Sequence, residues 1–352
     1  MAKLKVGVIG VGGIAQCHIA GYKKNPNVEL YAFCDINEER LKQQGELHGV
    51  TRLYTDVNDM MAALPELDAV SVCTWNVAHA SCTIAALKAG KNVLCEKPMA
   101  MTVAEAEAMK KAAEESGKLL MIGFVRRYGD DMNVLQDFIK DDYFGEIYYS
   151  KVDYLRRNGN PGGWFCDSAR SGGGPLIDLG VHLIDFARYC MGNPKPVSVY
   201  AATFKKVDRS NVKTGAGYVS YGRTEKEIND VEDAATALVR FDNGAAMNVE
   251  TSYNLNLPDD RNAILLYGTK GGAEVTNNVR LFSTASGYMT DTTLKVDSSL
   301  DFLGLFQREI DHYVACMTDG IECRSPAEDG VELMKILMGA YESAKTGHEV
   351  IL

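Results

Sequence analysis

The sequence is short of the features that would take it out of the ordinary globular class. It has no apolar run near the roughly 20 residues a membrane span requires. Its nine cysteines are Cys17, Cys34, Cys73, Cys82, Cys95, Cys166, Cys190, Cys316 and Cys323, an odd number set mostly in apolar runs. That is not the pattern of a disulfide framework. No two have C-x-x-C spacing, which argues against a zinc ribbon or a thioredoxin-like motif, and no metal site is expected. Low-complexity tracts and internal repeats are missing. Basic residues are not in excess: 37 Lys and Arg stand against 47 Asp and Glu, a formal net charge of −10. An acidic balance argues against sequence-independent binding of nucleic acid or anionic membrane. The chain shows no signal-peptide architecture ahead of its first strand-like segment. The expectation is a soluble, reduced, cytoplasmic protein.

What is present is ordinary in amount: 352 residues, 46% hydrophobic and 24% charged. At about 150 residues per domain the length suggests two domains. Each can bury a core without staples. Apolar runs at 4–9, 28–34, 69–73, 92–95 and 119–123 predict strands. They are continuous, as expected of strands covered on both faces. Between them 14–24, 38–48, 57–64, 78–89 and 103–116 read as helices, the last opened by a capping box of Thr102 and Glu105. This alternation implies a doubly wound parallel sheet in a first domain, residues 1–123.

Residues 124–352 follow a different grammar. A helix at 131–140 and a strand at 147–154 lead into a glycine-dense loop, and a buried helix is expected over 176–190. Hairpins follow: 234–241 and 245–253 flank Asp242-Asn243-Gly244, and 263–267 and 273–275 flank a second glycine-rich turn. Helices at 302–317 and 326–345 close the chain and can pack back on the first domain. The expected fold class is therefore α/β: an N-terminal Rossmann-type parallel sheet, then a second domain with an antiparallel sheet.

Four motifs carry chemistry. Gly10-Val11-Gly12-Gly13-Ile14-Ala15 joins the first strand to the first helix. Gly10 allows the tight turn, Gly12 lets backbone approach a pyrophosphate, and Ala15 allows close helix packing. The helix N-terminus then faces the phosphates. Asp35 ends the second strand, where a carboxylate can accept both adenosine ribose hydroxyls and repel a 2′-phosphate, favouring NAD over NADP. Thr74-Trp75-Asn76, with His79, follows the fourth strand; these can bond ribose or nicotinamide, although Asn76 also suits a helix N-cap. Glu96-Lys97-Pro98 ends the fifth strand at the same edge. A lysine there can stabilise developing charge on a reacting hydroxyl, or simply be solvated. The Lys97–Pro98 bond is a candidate cis peptide.

The last motif is Gly172-Gly173-Gly174-Pro175-Leu176-Ile177-Asp178-Leu179-Gly180-Val181-His182-Leu183-Ile184-Asp185. Asp178 and His182 are four apart and share a helix face, with Asp185 extending the stripe. A histidine beside a carboxylate is a general base with its orienting partner, or else a satisfied core pair.

Together these motifs resemble the Gfo/Idh/MocA oxidoreductases, from Val6 to the C-terminal helices. Glu96-Lys97-Pro98 in register with Gly10-Val11-Gly12 is specific to that family, as is the run holding Asp178 and His182. The stretch from Arg156-Arg157 to Trp164-Phe165 looks like the sugar- and cyclitol-acting members. The resemblance implies a large, mostly antiparallel C-terminal sheet that makes a homodimer or homotetramer contact. It also implies a catalytic set of Lys97, Asp178 and His182. The cofactor-binding set expected is Gly10, Gly12, Gly13, Ile14, Asp35, Ile36, Arg40, Thr74, Trp75, Asn76, His79, Glu96 and Lys97. Arg127 and Trp164 join Lys97, Asp178 and His182 as substrate contacts, with Arg156 and Arg157 as further candidates. Trp75 departs from the proline that many members carry. The implied reaction is oxidation of a secondary hydroxyl of a cyclitol or sugar to a ketone. Two other readings stay open: a glycosidase using transient NAD redox, and a non-catalytic NAD or sugar sensor.

Overall fold

The computed structural model describes residues 3–209, 212, 228–294 and 302–352. The chain begins as alternating strand and helix: β1 (Leu4–Ile9), α1 (Ala15–Lys24), β2 (Val28–Cys34), α2 (Glu38–His48), β3 (Arg52–Tyr54), α3 (Val57–Ala63), β4 (Ala69–Val72), α4 (Asn76–Lys88), β5 (Asn92–Glu96), α5 (Val103–Ser116) and β6 (Leu120–Gly123). The six strands form one parallel sheet in the order β3-β2-β1-β4-β5-β6. β4 and β6 are buried along their whole length, which is why their sequences run apolar without alternation. Helix starts are set locally. Asn37, Asp56 and Thr102 each accept a backbone N–H of the following turn, and the Glu105 carboxylate accepts the Thr102 hydroxyl and the Met101 N–H, one residue short of the expected capping box.

The strand order turns back between β1 and β4, so their carboxyl ends diverge and open a crevice. Gly10 makes the turn there with φ +81°. A side chain would meet the Cys73 carbonyl carbon and oxygen at 2.8 Å, so only glycine fits.

The second fold begins with α6 (Asp130–Lys140) and β7 (Ile147–Leu155), then α7 (Ser168–Ser171). The buried helix expected over 176–190 is not uniform. Leu176–Gly180 is a widened π turn, and α8 (Val181–Cys190) follows it directly. Then come β8 (Pro196–Phe204), β9 (Ala234–Phe241), β10 (Ala246–Ser252), β11 (Arg261–Gly268), β12 (Gly271–Val275), β13 (Val279–Ala285) and β14 (Tyr288–Thr293). After α9 (Phe302–Thr318) and α10 (Ala327–Thr346), β15 (Val350–Ile351) adds an edge. The sheet order is β14-β13-β12-β11-β7-β10-β9-β8-β15, antiparallel except where β7 meets β10. One face, with Val199, Val239, Met247 and Leu266, is fully buried. On the other, Tyr148, Tyr200, Leu238 and Tyr267 are exposed.

The chain divides into two compact units. One takes residues through Tyr128 and the C-terminal stretch ending at Met334, so α9 and the start of α10 belong with the Rossmann-type sheet. Asn25 donates to Asp311 on α9 at 2.7 Å, and Ile310, Tyr313 and Val314 join its core. The other runs from Gly129 and takes in Lys335–Leu352. No helix among the described residues is long and apolar enough to cross a membrane.

Candidate cofactor and active site

At the carboxyl edge of the parallel sheet the Asp35 carboxylate is held by two backbone donors. Val11 N–H reaches Oδ2 at 2.9 Å and Asn37 N–H reaches Oδ1 at 2.8 Å. Arg40 Nη1 lies 3.8 Å from Oδ2. Each oxygen keeps a lone pair for a further donor. Beside it Ile36 is 79% exposed, an apolar surface at the strand end. Around Gly12 and Gly13 the space where a side chain would stand is open. Helix α1 has no side-chain cap and no acid in its first turn, unlike α2 with its Asn37 cap and Glu38 and Glu39. Open backbone, an uncapped helix start and a carboxylate at the second strand fit a dinucleotide: pyrophosphate over Gly12 and Gly13, ribose on Asp35.

The loop after β4 is held from within. His79 is 1% exposed, with Nδ1 2.7 Å from the Pro98 carbonyl oxygen and Nε2 3.1 Å from that of Thr74. This ring ties the Thr74 loop to the Lys97 loop. Trp75, and not Asn76, occupies the N-cap position of α4; Asn76 is the first helical residue and is buried.

The Lys97–Pro98 peptide is cis. From 93 to 100 every residue is buried except Lys97. The Glu96 carboxylate accepts the Lys97 backbone N–H at 3.1 Å and faces His18 Nε2 at 2.8 Å. His18 Nδ1 lies 3.0 Å from Ser71 Oγ, which lies 2.6 Å from the Tyr22 hydroxyl. Burial pushes the Glu96 carboxyl up, but the His18 bond and neighbouring charges prevail and hold it below its usual range. A buried polar network therefore links α1, β4 and the end of β5. Sequence reasoning missed His18, Ser71 and Tyr22. The available signal was a histidine on the apolar face of α1, but its partner is 78 positions away.

In the second unit the glycine loop is organised by another residue that sequence reasoning missed. The Glu232 carboxylate accepts Gly174 N–H at 2.9 Å, Leu176 N–H at 3.2 Å and the Tyr341 hydroxyl at 2.9 Å. Gly173 packs directly on that Tyr341 hydroxyl, leaving no room for a side chain. The π turn then presents Asp178, whose Oδ2 accepts the Tyr253 hydroxyl at 2.8 Å. From 173 to 188 only Asp178 and His182 escape burial. Asp185, read as continuing their stripe, is 2% exposed.

Arg127 does not line an open site: it is fully buried, its Nη1 donating to Asp329 Oδ2 at 2.8 Å and to the Arg324 carbonyl at 2.6 Å. Burying so large a cation is tolerated because it is paired, and this pairing is what the sequence could not reveal. Arg157 is exposed, with its guanidinium on the Pro258 carbonyl. Arg156 lies over the Tyr154 ring and bonds the Gly159 carbonyl. Trp164 is half-buried and stacks on Phe165 with centroids 4.0 Å apart.

Fold and edge geometry define a dinucleotide-binding protein, and comparison with known proteins places it more closely. Residues 4–124 match the oxidoreductase family with an NAD-binding Rossmann fold, and residues 132–274 match the GFO/IDH/MocA C-terminal domain. The chain is 32% identical to D-glucoside 3-dehydrogenase of Escherichia coli K12, over 99% of this chain and 97% of that one. It is 30% identical to myo-inositol 2-dehydrogenase of Thermotoga maritima, over 76% and 74%. A solved levoglucosan dehydrogenase complex with NADH shares the fold, with a TM-score of 0.86 at 22% identity over 99% of both chains. The chain belongs to the Gfo/Idh/MocA family of oxidoreductases, and residues 4–124 match the family's NAD-binding domain.

Proposed function

We propose that the protein oxidises a secondary hydroxyl of a sugar or cyclitol to a ketone, with NAD preferred over NADP. The observation that carries this is the exposure pattern of the π turn and α8, where Asp178 and His182 alone reach the surface of an otherwise buried run. A carboxylate and an imidazole that alone stay accessible along a buried run are placed to meet a ligand. The substrate class is supported by relatives that act on D-glucosides and myo-inositol.

NAD, held over Gly12, Gly13 and Asp35, would supply the hydride acceptor. His182 takes the hydroxyl proton. Asp178, whose carboxylate is held by the Tyr253 hydroxyl, is the group assigned to orient the imidazole. Lys97 stabilises negative charge on the reacting oxygen. Glu96 fixes the Lys97 backbone through its N–H. Trp164 is a further substrate contact, whereas Arg127, buried and paired with Asp329, is not.

The test is absorbance at 340 nm with NAD or NADP and a panel of inositols, aldoses, sugar acids and glycosides. NADH is expected to accumulate with one cyclitol or sugar class. Asp35→Asn is expected to raise KM for NAD by about tenfold and to shrink the preference over NADP, as loss of a charge-assisted acceptor implies. Absence of NADH with every alcohol, from protein that binds NAD, would overturn the reading.

The exposed sheet face is proposed to join two or four copies. Tyr200 and Leu238 are cross-strand neighbours on it, and Tyr149 stacks on Tyr267 at 5.2 Å between centroids. Light scattering is expected to give a dimer or tetramer, with Tyr200→Asp and Leu238→Glu together driving it toward monomer; a monomeric parent protein at micromolar concentration refutes this.

A further inference from the structure

A second cluster of reactive side chains lies at the end of α9, and the dehydrogenase chemistry makes no use of it. His312 and Cys316 stand one turn apart on that helix, and Cys323 returns to them from the segment before α10. One ligand-type atom from each lies within 4.8 Å of the others. Cys316 Sγ is 3.5 Å from His312 Nε2, and all three residues are half-buried, open in part to small solutes.

Two chemistries suit such a trio: a metal ion or thiol oxidation. The direction of the imidazole decides between them. Its Nε2, the nitrogen that faces the sulfurs, accepts the Arg324 backbone N–H at 2.9 Å. That bond occupies the lone pair a metal would need. With the imidazole so occupied, the two sulfurs remain, within 4.8 Å of each other across the short span 316–323.

We infer that Cys316 and Cys323 form an oxidation site, in which a peroxide converts Cys316 to a sulfenic acid and Cys323 closes it as an intrachain disulfide. The Cys316 thiolate attacks one peroxide oxygen, and the O–O bond breaks. The departing hydroxide takes a proton and leaves as water. Cys323 sulfur then attacks Cys316 sulfur; the S–O bond breaks and the second water leaves with the Cys323 proton. The two thiols supply two electrons, the peroxide is reduced to two waters, and a small thiol reverses the change by exchange.

The division of labour follows from the surroundings. A hydrogen bond from Cys323 brings the Cys316 thiol down to about 5 against the effect of burial. The same bond pushes Cys323 up, so Cys316 is the attacking sulfur. Once Cys316 is oxidised that bond is gone, and Cys323 is released to resolve it. Cys82 is also half-buried, but burial pushes it up to about 11. The remaining six, Cys17, Cys34, Cys73, Cys95, Cys166 and Cys190, are buried.

The test uses the whole chain, reduced and then treated with equimolar hydrogen peroxide, followed by alkylation and peptide mass mapping. A Cys316–Cys323 disulfide is expected, reversed by dithiothreitol, with Cys82 still alkylated. Cys323→Ser is expected to stop at a dimedone-reactive Cys316, and Cys316→Ser to leave Cys323 reduced. In the reduced protein at pH 7, Cys316 is expected to alkylate about tenfold faster than Cys82. Replacing Cys323 by Ala, which removes the donor, slows that alkylation, whereas Ser, which keeps a hydroxyl, preserves most of it. Oxidation spread evenly over Cys82, Cys316 and Cys323 overturns the inference. So does purified protein holding stoichiometric zinc that shields both thiols until a chelator is added.

Discussion

Lys97→Ala is expected to lower kcat by about a thousandfold while changing the dissociation constant for NAD by no more than about threefold. The reasoning starts from placement. Lys97 follows the last residue of β5, at the edge where the nucleotide fold presents its ligand, and it is the one residue from 93 to 100 that is not buried. Its backbone is fixed by Glu96, which is fixed in turn by His18 of α1. A backbone held this firmly launches the side chain from a fixed point at the sheet edge. Removing one preorganised donor typically costs a hundredfold to a thousandfold in turnover, and shared work in proton transfer takes Lys97 to the upper end. The substitution leaves alone Gly10, Gly12 and Asp35, the residues proposed to hold the nucleotide. Lys97→Arg keeps the charge but changes its shape, and falls between the two. Steady-state NADH formation and a separate NAD-binding titration decide the matter. A kcat within tenfold of the parent would remove Lys97 from the catalytic set.

The second large effect is on stability. Arg127→Met leaves the buried Asp329 carboxylate without the guanidinium that lies 2.8 Å from it. Breaking a buried pair from one side typically costs about 3–5 kcal/mol. For a protein of this size that lowers Tm by about 4–7 °C. Arg127→Met with Asp329→Leu replaces both charges by apolar groups and is expected to regain most of the loss. Well below Tm, kcat and KM should stay within about twofold of the parent. The opposite pattern, a raised KM at unchanged Tm, would return Arg127 to the substrate set. Differential scanning calorimetry with kinetics at 20 °C separates the two.

Arg127 also shows where sequence reading stops. The parallel sheet was legible because each of its long strands is a continuous apolar run and each turn carries its own punctuation. β1, β2, α2 and α5 fall where expected to the residue. β3 was missed because three partly exposed residues give no period to read. β13 and β14 were missed for a related reason: β14 is largely exposed, so nothing in it need be apolar. The chemistry-bearing residues announced themselves as charges in apolar settings, as at Lys97, Asp178 and His182. Their supports did not. Glu232 is 58 positions from Gly174, and Tyr253 is 75 from Asp178. A carboxylate or hydroxyl in a loop or strand looks the same whether or not a distant partner awaits it. Arg127 carried the same kind of signal as Lys97, and only its packing separates them.

The widened turn at Leu176–Gly180 has a consequence for how this segment can change in length. A π turn is an α-helix carrying an extra residue, and each residue of an α-helix advances the chain by about 100°. The angular phase between Asp178 and His182 is therefore set by the number of residues around that turn as much as by their identities. Losing or gaining one there would swing His182 about a quarter of a revolution or more from the carboxylate, with every side chain intact. The hairpin at Asp242-Asn243-Gly244, by contrast, leads only into strands whose register is held by their neighbours. Descendants of this sequence are free to lengthen such tips, while the count of residues from Gly174 to His182 stays fixed.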